Sequence, residues 1–288
     1  VHINLMPLYL LVSVMFLMLI ANNLQSQEIE EVIVTGANVY ESESDPSSDV
    51  NVLETIMPEA TQAGGYGGFS GYTERGTQTI HTSVFRNGVP ANDAGNGWYD
   101  FGHDFATGNE KVKIVNGPNS VLYGSGSLGG AIFITDDLKD GSTIRVGSST
   151  FVSHTGNGVN LSYFDADNDS VRTDNDEKDS YNNLTLKGQK EYGDWKVNVS
   201  GTSYEYDYDN CYTASFSQTN DCVQSGNKGT VSVRNDNYTF GYTFNDAEYE
   251  TQGVQTFKSD AERAYVDTRH QVGSTLLGAT VEYEKYSD

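Results

Sequence analysis

Three groupings in this 288-residue sequence have residue types and spacings that could do chemistry. Gly124, Gly126 and Gly129 form a literal G-x-G-x-x-G, Asp165, Asp167 and Asp169 place carboxylates at alternate positions, and Cys211 and Cys222 are the two thiols. A glycine motif of this kind holds a dinucleotide pyrophosphate only where a helix opens inside it and points its N-terminus at the phosphates. Here the sequence continues as AIFIT (Ala131–Thr135), a β-branched strand pattern, and no G-K-[ST] supplies a phosphate-binding lysine. The three aspartates resemble the start of a calcium loop, with Asp176 where an EF-hand would place its last ligand. Ser170 replaces the turn glycine, however, and the flanks read as strands, so a solvated acidic loop is the first reading and calcium the alternative. Histidines 2, 81, 103, 154 and 270 are scattered, with no H-E-x-x-H and no G-x-S-x-G nearby, so no enzyme reading gains weight.

The elements that must position these residues follow from composition. There are 17 basic and 40 acidic residues, a net charge of −23, which argues against nucleic acid as a partner because binding it needs a basic face. A large acidic excess can mean disorder, but 36% hydrophobic content with 19 Tyr and 12 Phe argues for folded β structure. A mean hydropathy of −0.50 is too polar for a helical membrane protein. It does not exclude a barrel, whose strands alternate lipid-facing and lumen-facing residues.

The stretch KVKIVNGPNSVLYGSGSLGGAIFIT (Lys111–Thr135) reads as strand, Gly-Pro turn, small-residue loop and strand. This stretch resembles the end of the plug domain of TonB-dependent outer-membrane receptors, whose pattern runs close to LYGSGALGGVINI. VLYGSGSLGGAIFI (Val121–Ile134) matches it nearly position for position, and two further plug motifs precede it in order: TERGT (Thr73–Thr77) and VFRNGVPAND (Val84–Asp93). The close resemblance runs from about Glu28 to Asp137. This sequence departs from the family at Glu74, where an apolar residue is usual, and at Lys113 and Asn116, where an acid and a base are usual.

The resemblance implies an α+β plug domain followed by antiparallel transmembrane β-barrel strands, with the barrel incomplete in this chain. The divisions it suggests are 1–27 signal peptide, 28–36 TonB box-like segment, 37–137 plug and 138–288 barrel strands. Leu8–Ile20 is an apolar run of signal-core length. The box-like segment is Glu31, Val32, Ile33, Val34 and Thr35, which could add as a strand to the sheet edge of a TonB-type energy-coupling protein. The plain alternative is the first strand of the next domain. Two glycine-rich loops, Ala63–Tyr72 and Ala91–Asp104, carry isolated aromatics and polar amides. In a plug they would face a small nutrient ligand through Tyr66, Phe69, Tyr72, Asn92, Asp93, Trp98 and Tyr99. Arg75 would pair with wall carboxylates or with Glu74 or Glu110. Gly126 and Gly129 would sit against the barrel wall.

After Gly141 the pattern is period two, as in Trp195, Val197 and Val199, or Tyr238, Phe240, Tyr242 and Phe244. We count about nine strands, starting near 142, 151, 159, 181, 195, 229, 238, 261 and 275, with loops at Asp165–Ser180, Asp207–Lys228 and Glu250–Asp260. An odd number cannot close a simple bacterial barrel, and plugged transporters use about 22 strands. We therefore expect the chain to be the N-terminal part of a longer outer-membrane protein, in contact with membrane lipids. An exported protein would join Cys211 to Cys222 as a disulfide within one polar loop. The expected function is import of a scarce nutrient (siderophore, cobalamin or similar) through plug rearrangement. The alternative is a non-transporting surface β-protein with calcium-binding loops.

Overall fold

The computed structural model describes residues 39–43, 61–63, 69–73, 77–95, 97–104, 107–118, 120–124, 126–169, 178–208, 211–212, 218–219, 222–251 and 254–287. The leader 1–27, the segment Glu31–Thr35, Tyr66 and Arg75 lie outside the described residues.

In the N-terminal domain β1 (Val39–Glu43) is followed by β2 (Thr61–Ala63) and β3 (Phe69–Gly71), which pair with each other. Then come β4 (Thr82–Arg86), β5 (Val89–Pro90), β6 (Glu110–Asn116), the single-turn α1 (Ser120–Tyr123) and β7 (Gly130–Asp136). The main sheet has the order β1-β6-β7-β4-β5, with β4 and β7 parallel and the other pairs antiparallel. β7 reads as a nearly continuous apolar run because it lies inside the sheet between β6 and β4 and is covered on both faces. Asn87 and Gly88 have φ of 51° and 86°, the paired left-handed conformation that closes a two-residue hairpin between β4 and β5. Val84, Val112, Ile114, Ile132 and Ile134 form the core, with Tyr99 and Phe101 packed on it.

The glycine motif opens into β7, a strand, and not into the helix a dinucleotide would need. A Cβ at Gly130 would lie 2.6 Å from the Val115 carbonyl oxygen, so β6 and β7 can begin their ladder only with glycine there. The expectation of a wall contact at Gly126 and Gly129 is corrected. A Cβ at Gly126 would lie 3.0 Å from Ser83 Oγ, and one at Gly129 2.8 Å from Thr77 Oγ1 and 3.2 Å from the His81 carbonyl. The small-residue run is therefore packed on Thr77, the 3-10 turn Thr79–His81 and β4 of its own domain, where the return of the chain to β7 leaves no room for a side chain.

The second sheet is an antiparallel meander. Its members are β8 (Gly141–Val146), β9 (Ser149–Gly156), β10 (Val159–Asp169), β11 (Lys178–Tyr192) and β12 (Trp195–Tyr208). After the small hairpin β13 (Cys211–Tyr212) and β14 (Gln218–Thr219) come β15 (Cys222–Arg234), β16 (Tyr238–Thr251), β17 (Val254–Val272) and β18 (Thr275–Ser287). The nine strands run in chain order from β8 to β18 and the sheet is not closed. β10 continues through Asp169, β15 begins at Cys222 and β17 at Val254, so stretches expected to be loops are strand. The ladder pairs Tyr208 with Cys222 and Thr251 with Val254, which satisfies the backbone whatever the side chains are. Beyond the apolar band both faces turn polar, and the alternation that marks a strand disappears.

Leu161, Tyr163, Leu184, Leu186, Val281 and Tyr283 stand exposed on one face of this sheet. The opposite face buries Phe151, Phe164, Tyr181, Tyr204 and Tyr206 in a second cluster toward the N-terminal domain. Tight turns at Asn157-Gly158, Gly193 and Gly273, all with positive φ, lie at one end of the strands. The strand ends at Asp169, Lys178, Tyr208 and Cys222 lie at the other.

Candidate functional site

The loop 91–104 hangs between β5 and the wall, and its polar side chains hold its shape. Asn92 Oδ1 accepts from the Val84 amide at 2.7 Å, and Asn92 Nδ2 donates to the carbonyls of Thr82 and Gly97, each at 3.0 Å. Asp93 Oδ1 accepts from the Gly95 amide at 2.8 Å, while its Oδ2 accepts from Asn245 Nδ2 of β16 at 2.6 Å. Arg263 of β17 donates to the Asn92 carbonyl at 2.9 Å and pairs with Glu282 and Glu284 of β18. The loop is thus tied to the inner face of two successive wall strands, β16 and β17, and β18 braces the Arg263 that holds it.

Between this loop and the wall is a cleft of about 430 Å³. It is lined by Trp98 and Tyr99 from the loop, Tyr204 and Tyr208 from β12, Lys228 from β15 and Tyr249 from β16. Tyr204, Tyr208 and Tyr249 lie in the halves of their strands away from the tight turns and Lys228 lies midway along β15, so the cleft sits toward the end of the sheet opposite those turns. Of the residues expected to face a ligand, Asn92, Asp93, Trp98 and Tyr99 line the cleft. Trp98 is 47% exposed, whereas Tyr99 is buried, with its hydroxyl donating to Asp104 Oδ2 at 2.6 Å. Tyr72 is placed in the core beneath, its hydroxyl donating to Asn116 Oδ1 at 3.3 Å. Phe69 opens β3, next to Ser70, whose amide bonds Asp100 of the cleft lining.

Under the cleft lies a buried charge network. Arg86 NH1 bonds both oxygens of Asp104, at 2.7 and 2.8 Å, and its NH2 reaches Asp136 at 3.1 Å. Burial alone would lower the Arg86 pKa, but the carboxylates of Asp104 and Asp136 outweigh it and hold the guanidinium charged. Burial would raise both carboxyls; the charge of Arg86 reverses this, so Asp104 and Asp136 stay ionised below the usual carboxylate range. From the wall, Lys187 pairs with Glu110 and lies 3.5 Å from Asp136. Gln189 Nε2 donates to the Asp136 carbonyl at 2.8 Å.

His103 is stacked on Tyr204, with ring centroids 3.7 Å apart, and its Nε2 lies 3.4 Å from Asp100 Oδ2. Asp100 Oδ1 accepts from the amides of Ser70 and Gly102 at 2.9 and 2.8 Å. Burial pushes the Asp100 carboxyl up to about 6, against the pull of those two amides. Burial, then the nearby charge of Lys228, pushes His103 well below its ordinary value.

Lys228, Asp100, Arg263 and the Lys187–Glu110 pair were not singled out as a site by sequence reasoning. Lys228 falls at the end of a stretch expected to be loop. Its signal is the polar alternation Gln224, Gly226, Lys228, Thr230, Ser232, which marks the inner face of β15.

The aspartates weighed for calcium do not form a loop. Asp165 and Asp167 are exposed on extended β10 opposite Asn182 and Ser180, and Asp169 continues the strand opposite Lys178. An extended strand cannot curl its carboxylates around one ion. Among the described residues no group of three or more His, Cys, Asp or Glu could hold a metal. Cys222 is buried and disulfide-bonded, and the chain's other cysteine is Cys211.

Residues 25–131 match the family described as TonB-dependent Receptor Plug Domain. A curated vitamin B12 transporter BtuB from Photobacterium profundum is 29% identical over 227 residues, covering 70% of this chain and 38% of that protein. A BtuB from Vibrio vulnificus is 34% identical over 108 residues, covering 37% of this chain and 16% of that protein. The chain therefore spans well under half the length of these relatives. The crystal structure of the ferric yersiniabactin uptake receptor FyuA from Yersinia pestis superposes with a TM-score of 0.51 at 13% identity, over 88% of this chain and 49% of that one. That likeness concerns the fold: an N-terminal domain lying against the inner face of an antiparallel sheet. Residues 25–131 thus carry a plug domain of the TonB-dependent receptor family, and the strands that follow share the fold of such a receptor's barrel wall.

Proposed function

We propose that the protein imports a scarce nutrient across the outer membrane, binding it in the cleft between loop 91–104 and the wall. The observation that carries this reading is the position of the cleft: its floor is the plug loop and its sides are the outer halves of β12 to β17. A ligand seated there touches plug and wall together, so its binding energy can bias how the plug is held. Energy would come from an inner-membrane coupling protein that pairs with Glu31–Thr35 as an added strand. Cobalamin is the first nutrient to assay, because the curated relatives at 29% and 34% identity are vitamin B12 transporters.

The test is uptake of labelled cyanocobalamin, and of a panel of ferric siderophores, by cells whose only such receptor is the full-length protein. Uptake that needs both the receptor and the coupling protein supports the reading. Equal accumulation with and without the coupling protein would remove the import function.

A further inference from the structure

Lys228 stands apart from the other cations at the cleft. Arg86 is committed to Asp104 and Asp136, and Arg263 to Glu282, Glu284 and the Asn92 carbonyl. Lys228 has no carboxylate within ion-pairing distance among the described residues. Its Nζ makes one long hydrogen bond, 3.4 Å, to the Asp100 carbonyl and lies 5.0 Å from the centre of the Tyr99 ring. An ammonium has three donors, and a cation withdrawn from bulk water is costly unless paired. This one is on the cleft wall, beside His103, whose burial keeps it uncharged, and Gln224, whose Nε2 lies 3.5 Å from His103 Nε2. Around it are the aromatic surfaces of Trp98, Tyr204 and Tyr208.

We propose that Lys228 is a specificity-determining residue of the cleft, receiving an anionic oxygen group (carboxylate, sulfonate or phosphate ester) of a ligand whose planar body lies on those aromatics. The inference rests on the reading of this cleft as the ligand site. The chemistry follows from the geometry: three donor directions with one weak acceptor, a positive charge whose nearby carboxylates, Asp100 and Asp104, act on it only from beyond ion-pairing distance, and flat apolar surface alongside. A charge-assisted hydrogen bond there is strong because the site is largely desolvated. Binding also draws the ammonium away from the Asp100 carbonyl and the Tyr99 ring, so the plug loop loses a wall contact as the ligand gains one.

The test uses the full-length receptor purified from outer membranes in detergent, and two small probes of the same shape, benzoate and benzamide. Binding is read from Trp98 fluorescence, with Trp98→Phe as the control that assigns the signal. The wild type should prefer benzoate by about tenfold, the size of one charged hydrogen bond. Lys228→Met keeps an aliphatic stalk against Tyr99 and should erase the preference, while Lys228→Arg should retain it. Unchanged melting temperature for both variants excludes a folding defect. Equal binding of the two probes by the wild type, no binding of benzoate, or a preference that survives Lys228→Met would each overturn the proposal. Nutrient uptake is a separate readout: lost uptake with an intact anion preference would sink the import reading and leave the role of Lys228 standing.

Discussion

Lys187 of β11 and Glu110 of β6 form an ion pair across the plug–wall boundary whose side chains are 1% and 0% exposed. Glu110 is also held by the Thr107 amide at 3.0 Å and the Thr107 hydroxyl at 2.6 Å, while Lys187 reaches toward Asp136. Such a pair contributes little net stability compared with an apolar match, but losing one partner strands the other. Lys187→Met strands Glu110 and removes one of the two cations beside Asp136. It should weaken plug retention by about 3–5 kcal/mol. Glu110→Gln should cost less, because Lys187 keeps Asp136 as a partner. The double variant should recover part of the loss. Denaturant midpoints for protease cleavage of the plug in the full-length receptor measure all three.

Close backbone approach fixes a second contact. Gly241 of β16 faces Val89 at the β4–β5 turn, and a Cβ built there falls onto the Val89 side chain. Gly241→Val should therefore lift the turn off the wall and expose the plug to protease. Gly188→Ala on β11 is the matched control: nothing lies within 4 Å of its Cβ position, so it should leave seating unchanged.

The fold was legible where side-chain pattern and backbone role coincide. The period-two aromatics announced the β16 and β18 strands, and the small-residue run announced the β6–β7 return. The strand extensions at Asp169, Cys222 and Val254 were not legible, because outside the apolar band a ladder is held by backbone bonds that leave no mark on residue type. The site was half legible. Loop 91–104 stood out by composition, but Asn92 and Asp93 brace it, and the amide of Asn92 could serve loop or ligand equally well on sequence alone. Lys228 could not be recognised before its strand was, since only the register places it beside Tyr99.

The energy-coupling role placed on Glu31–Thr35 makes its own forecast. Val34→Pro removes a backbone donor and fixes φ, which an added strand cannot accommodate at a paired position. Energised uptake should fall to background while ligand binding at the surface stays intact. Uptake at the wild-type rate would exclude strand addition through Val34.

Two groups at the loop, the half-buried Asp100 and the buried His103, set opposite pH dependences. Asp100 has its pKa raised by burial from 3.8 to about 6, so the folded state holds that proton more tightly than the unfolded chain. Its contribution is greatest below pH 4 and is lost as pH rises through about 6. His103 is pushed below its ordinary 6.5 by burial, so the unfolded chain takes up that proton first. Its contribution is present above pH 6.5 and is lost as pH falls. Between pH 4 and 6 the two oppose each other, and the loop's hold on the wall should change little with acidification. Asp100→Asn keeps an amide oxygen for the Ser70 and Gly102 amides and removes the titration. The variant should therefore lose stability more steeply than the wild type on going from pH 6.5 to 4, and His103→Phe in the same background should flatten the curve again. Plug protection measured by hydrogen exchange in residues 97–104 across that range reads the slopes. Parallel slopes for the wild type and Asp100→Asn would show that Asp100 does not titrate there.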